Sequence, residues 1–183
     1  SLENLRAALD RFSYDSLSVE NQLTYDVLDY YLNMAEKNTD YLLYNEPLGL
    51  VSGIQTQLPV LLSEYQFYDE EDVDTYLKLM QSTPEYFESL IAFEKQKSAA
   101  GLFMADYSAD TVISQCTAFM EMGESNYLIS TFVERIKQLG LSSEAQSRYI
   151  KRNAQMLQSY VLPAYNQLIS AVQSLKGTGK NEE

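Results

Sequence analysis

The densest cluster of potential ligands in this chain is Asp69-Glu70-Glu71-Asp72-Val73-Asp74. Carboxylates at alternating positions can hold a hard cation. A calcium loop, however, needs glycine at its sixth position to make the sharp turn. Asp74 stands there, so the run reads instead as the charged start of a helix, where acidic side chains meet the positive end of the helix dipole. Gly177-Thr178-Gly179-Lys180 has the flavour of a phosphate-binding loop. That motif needs glycine where Ser174 stands and Ser or Thr where Asn181 stands, and it must open a helix rather than follow one.

Histidine is absent from all 183 residues. That removes a Ser-His-Asp or Cys-His nucleophile system and a His-ligated zinc site from this chain. Cys116 is the single cysteine. It forms no internal disulfide, and its place on an apolar helical face marks a small core residue. Fifteen tyrosines without a tryptophan offer flat apolar faces with hydroxyl edges. Tyr30, Tyr31, Tyr41, Tyr44, Tyr65 and Tyr68 crowd around residues 44–68. They can line a peptide or sugar groove, or pack between helices with hydroxyls at the rim. Asn153 interrupts the apolar stripe of the last helix and is expected to bond a neighbouring helix or a water, with a ligand contact as the alternative. Glu and Asp are plentiful, but nothing marks two of them as a glycosidase pair.

The elements that position these residues are helical. The chain is long enough for one ordinary domain, and 45% apolar residues allow a sizeable core. Its net charge of −13 opposes binding to nucleic acid or to an anionic membrane surface. No apolar run reaches the roughly 20 residues of a membrane span. No signal peptide is present, and Ser1 begins directly on a helical pattern without an initiator Met, as expected of a piece excised from a longer protein.

Helix faces follow from apolar spacing. Leu2, Leu5, Leu9 and Phe12 form the first. After Ser18 as N-cap, Leu23, Val27, Tyr30 and Met34 form the second. Residues 44–57 depart from the pattern. Pro47 forces an extended or turn conformation at Glu46, and Gly49 and Gly53 permit unusual backbone angles. A helix is expected after Thr56 or Gln57, with Pro59 in its first turn. Asp69 opens a helix with Val73, Tyr76, Leu77 and Met80 inward. Thr83-Pro84-Glu85 has the form of a new start, with Phe87, Leu90, Ile91 and Glu94 on the next face and a stop near Gly101. Later helices are expected from Ser108 to Gly123, from Ser125 to Gly140, and, with Ser142 as cap, over 143–175. Pro163 should kink the last of these rather than break it, since Met156, Tyr160, Ala164 and Leu168 stay four apart across it and the stripe keeps phase.

The stretch Tyr44 to Tyr68 resembles a large bacterial family, the domain of unknown function numbered 885. So do Asp72-Val73-Asp74-Thr75-Tyr76-Leu77, Pro84-Glu85-Tyr86-Phe87, Phe93 to Ser98 with Gly101-Leu102-Phe103-Met104, Pro163-Ala164-Tyr165, and the tail Leu175 to Glu182. The order and spacing of these pieces match over nearly the whole chain. Members of the family look like helical zinc metallopeptidases, with an HExxH motif beyond the tail segment. This sequence stops before that motif, so the resemblance carries over no catalytic residue, no metal ligand and no cofactor. It implies zinc in the C-terminal half that is absent here.

The expectation is therefore an all-α fold of about seven or eight helices, with the long C-terminal helix kinked at Pro163. Residues 1–175 would form a single domain, and 176–183 a frayed tail leading to the catalytic half, this chain's own partner. The chain would be a non-catalytic N-terminal portion helping to form a peptide-substrate groove. Tyr44, Glu46, Gln55 and Gln57, on the longest non-helical segment, would touch substrate. The alternative is a binding or interaction domain in a parent without peptidase activity. The resemblance implies an extracytoplasmic parent, exported or lipid-anchored.

Overall fold

The structure is a computed structural model that describes residues 2–180. Among the described residues it is all helical, without a strand. The chain divides into two compact units, one ending at Asn45 and one beginning at Glu46.

The first unit is a helical hairpin of α1 (Leu2–Leu9) and α2 (Val19–Asn38). Ser18 caps α2 as its sequence position predicts, its side chain accepting from the Asn21 N–H. Arg6 joins the two helices. Its guanidinium contacts Asp29 and bonds Glu36 at 3.2 Å and Asn33 at 2.9 Å. Tyr14 meets Tyr25 edge-to-face at 5.4 Å. The buried apolar residues of this unit are Leu9 and Leu32. The expected core stripe of Leu23, Val27, Tyr30 and Met34 is instead exposed, because α1 packs on the opposite side of α2.

The second unit is built around α4 (Glu70–Ala99), a helix of 30 residues or about 45 Å. The expected break at Thr83-Pro84 does not occur. Val73, Tyr76, Leu77, Met80, Thr83, Phe87, Leu90, Glu94 and Lys97 are buried at spacings of three and four. A stripe that stays in phase over so many turns outweighs one lost backbone bond. Helix α4 packs along α7 (Ser143–Met156) and α8 (Leu162–Leu175). Helix α5 (Asp106–Met120) lies against α8, and α6 (Tyr127–Gln138) against α7. Helix α3 (Ile54–Glu64) packs on both α5 and α6. Gly101, Gly123 and Gly140 follow the helices they were expected to stop, each with positive φ.

Helices α7 and α8 run into one another through a π turn at Leu157–Val161, just before Pro163. The expected irregularity at Pro163 takes this form. The buried positions are Tyr149, Asn153, Leu157, Val161, Ala164, Tyr165, Leu168 and Val172. Steps of four drift in an α-helix of 3.6 residues per turn, and the extra residue of a π turn returns them to the core side. Met156 and Tyr160, expected on the stripe, are therefore only half-buried.

Residues 176–180 are tied down rather than frayed. Gly177 N–H donates to Asp106 at 2.7 Å, Ser98 donates to Thr178 at 2.8 Å, and Lys180 N–H donates to the Gly101 carbonyl at 2.9 Å. Lys176 pairs with Asp110. The rest of the expected tail lies outside the described residues.

Candidate functional site

The non-helical segment after Asn45 folds into a cinched loop. Pro47 C=O accepts from the Ile54 N–H at 2.9 Å. The Gln55 amide donates to the Gly49 carbonyl at 2.8 Å and to Gln115 Oε1 at 2.9 Å. Gln115 donates in turn to the Leu50 carbonyl at 2.9 Å. The loop closes so tightly that a Cβ on Gly53 would lie 2.4 Å from Gly49 O, so only glycine fits.

Helix α3 starts earlier than its sequence suggests, at Ile54, which leaves Pro59 inside it. Proline has no N–H to give the carbonyl four residues back, at Gln55. The hydroxyl of fully buried Tyr165 donates to that carbonyl at 2.7 Å. Burial pushes the Tyr165 phenol well above its usual range, so it remains a donor at all ordinary pH. At the other end of α3, Arg135 bonds the Leu62 carbonyl at 3.1 Å and the Tyr65 carbonyl, with its guanidinium 4.5 Å from the Phe67 ring centre. These two residues satisfy backbone groups that the helix itself cannot.

The four residues expected to touch substrate therefore have different roles. Tyr44 belongs to the first unit, where it is exposed and its ring lies 6.1 Å from Tyr41. Gln57 is an exposed residue of α3. Gln55 is 2% exposed and its amide holds the loop together, so its structural work leaves it little surface to offer a ligand. Glu46 is the one at a charged cleft. The Lys97 ammonium, fully buried on α4, pairs with Glu46 at 2.7 Å. The Glu46 side chain is 53% exposed and stands at a cleft of about 330 Å³, with Leu48 and Gly49 from the loop and Met104, Ala105 and Ser108 from the start of α5. A neighbouring cleft shares Met104 and Ala105 and is otherwise walled by Asp106, Gly177 and Gly179.

One turn before Lys97 on α4 is Glu94, 1% exposed, with neither carboxylate oxygen hydrogen-bonded among the described residues. Desolvation pushes its carboxyl up to about 7. Glu46 pushes the same way, and Lys97 opposes both. A carboxyl poised there exchanges its proton near neutral pH. Sequence reading placed Glu94 on an inward face without a role, and passed over Lys97. Their signal was available: both charges fall on the apolar phase that runs from Val73 to Leu90. Asn153 bonds a neighbouring helix, its amide donating to the Leu128 carbonyl at 3.0 Å. Cys116 is buried and its thiol is pushed up to about 12, which leaves it inert as a nucleophile or metal ligand. Asp69 caps α4 by accepting from the Glu71 and Asp72 N–H groups. Among the described residues no three His, Cys, Asp or Glu are grouped to hold a metal ion.

No curated protein matches the sequence. A solved structure described as "the putative lipoprotein from Colwellia psychrerythraea" matches with a TM-score of 0.70 at 16% identity, over 74% of this chain and 24% of that one. At that identity the likeness shows the fold. The matched part is about a quarter of the length of that protein. The family described as "Bacterial protein of unknown function (DUF885)" matches residues 1–183, and the chain belongs to that family.

Proposed function

We propose that this chain is a non-catalytic helical portion of a longer extracytoplasmic protein that resembles zinc metallopeptidases. In this reading the cleft at Glu46 walls part of a peptide-substrate groove completed by the rest of the parent. The observation that carries it is the Lys97–Glu46 pair: a fully buried ammonium fixes a half-exposed carboxylate at the edge of a cleft. Burying a charge costs several kcal/mol, and a buried pair is seldom the most stable filling for a core. An oriented carboxylate is useful where it meets a ligand, and this one suits the ammonium group or amide N–H groups of a peptide. Glu94, behind it on α4, tunes the charge of the site around neutral pH.

Zinc does not fit the donors described here: histidine is absent, the one thiol is buried, and among the described residues no three carboxylates are grouped. The metal and the bond-breaking groups belong to the parent sequence outside these residues, and no step through zinc is drawn from this half. The lipoprotein description of the solved relative supports an extracytoplasmic location.

The test fills the cleft without disturbing the ion pair. Ala105 is exposed and faces the cleft. In the full-length parent, Ala105→Trp should raise KM for peptide substrates on the order of tenfold and leave the melting temperature unchanged. Unchanged kinetics, or a parent that hydrolyses no peptide, would overturn the reading and leave an interaction domain in its place.

A further inference from the structure

Helix α2 is apolar on two sides. Its inner side, with Leu32 buried and Tyr25 against Tyr14, meets α1 and the turn that follows it. Its outer side carries Val19, Leu23, Val27, Tyr30, Tyr31 and Met34. At 100° per residue these six fall within an arc of about 120°. All six are exposed, from 40% at Met34 to 84% at Val19. No charged residue falls on the arc between Leu23 and Met34. Single exposed apolar residues are ordinary on a protein surface, but six on one arc, with Glu20 of the first turn the one charge among them, mark an interface.

We propose that this outer face of α2 docks an apolar helix face contributed by the part of the parent protein that lies outside these residues. The inference rests on the reading of this chain as a portion of a longer protein. The matched structure supports that occupant, since this chain accounts for only 24% of its length. The stripe has the i, i+4, i+8 and i+11 spacing of a helix seated in a helical groove. An anionic membrane fits poorly, because the chain carries a net charge of −13 and the stripe offers no flanking cluster of Lys or Arg. A second copy brings the same negative charge to the contact.

The test is thiol accessibility in the full-length parent. Leu23→Cys, Val27→Cys and Met34→Cys are made one at a time, and each is labelled with a maleimide in the native protein and again in denaturant. The unsubstituted parent supplies the background. The substitutions are small and apolar, and circular dichroism checks that each variant keeps its helix content. Native labelling more than about tenfold slower than denatured labelling is expected at all three positions, at every protein concentration and without lipid. Labelling within tenfold of the denatured rate overturns the proposal. So does protection lost on dilution, which would assign the face to a second copy. Protection that appears only with phospholipid vesicles would assign it to a membrane and overturn the proposal as well. The readout is independent of peptide turnover, so it stands or falls separately from the groove at Glu46.

Discussion

Glu94→Gln should stabilise this chain at alkaline pH and change nothing in acid. The Glu94 carboxyl is 1% exposed, and burial holds it at about 7 against an ordinary 4.5. A folded-state pKa above the unfolded one means that the folded protein holds its proton longer. The stability this supplies is fully present below about pH 4.5 and is lost as pH rises through 7. Moving the carboxyl from 4.5 to about 7 corresponds to about 3 kcal/mol at 1.36 kcal/mol per tenfold change in proton affinity. Glutamine has nearly the same shape and never ionises. The variant should therefore match the original near pH 4, exceed it by about 2 kcal/mol at pH 6, and by about 3 kcal/mol at pH 8. For a chain of this size that difference is roughly 6–12 °C in melting temperature. Urea unfolding of both proteins at half-unit steps from pH 4 to 8.5 measures the difference directly, and the other carboxylates cancel in the subtraction. Parallel curves would show that Glu94 titrates normally. A variant less stable at pH 8 would show that the Glu94 charge pairs with Lys97 strongly enough to outweigh desolvation. Either result refutes the argument.

Gly53→Ala should destabilise the second unit by on the order of 2–3 kcal/mol, because the added Cβ meets backbone of Gly49 that cannot move without opening the loop. Chemical denaturation reads it, and a neutral result would mean the loop is looser than its hydrogen bonds imply. Tyr165→Phe should cost about 1–3 kcal/mol by leaving the Gln55 carbonyl buried without a donor. A loss below half a kcal/mol in the same assay would show that another donor reaches that carbonyl.

Much of the fold was legible because its signals are local. Ser18, Asp69 and Ser142 cap helices where the sequence places them, and Gly101, Gly123 and Gly140 end them. What misled were local signals overruled by distant partners. Thr83-Pro84-Glu85 has every mark of a helix start, yet the continuous buried stripe carries α4 through it. Pro59 sits inside α3 because Tyr165, more than one hundred residues away, supplies the bond that proline withholds. The Leu23–Met34 stripe was legible as an apolar face, but periodicity says only that a face is apolar and not what covers it.

The site was legible in part. Glu46 was singled out for its place beside Pro47 on an irregular segment, and it does stand at a cleft. Gln55 was chosen for the same reason, but a polar side chain on a loop can serve the loop as readily as a ligand, and only its two bonds to Gly49 and Gln115 decide between them. Glu94 drew only a place on an inward face and Lys97 no role at all, because sequence reading looks for chemistry where apolar patterning stops, and these two lie where it continues.

The π turn before Pro163 has a consequence for how relatives of this chain are aligned. One residue between Leu157 and Val161 is surplus to an α-helix. Deleting it would let the backbone revert to regular α geometry with the later residues facing as before, whereas keeping it and winding it as α-helix would turn everything after it by about 100°. Tyr165, Leu168 and Val172 would then rotate off the core together, and the Gln55 carbonyl would lose its donor. A relative one residue shorter across this turn can therefore keep its downstream apolar positions on the core, and the gap belongs inside the turn. An alignment that opens a gap in the connection to α7 instead would match core residues of one protein with surface residues of the other.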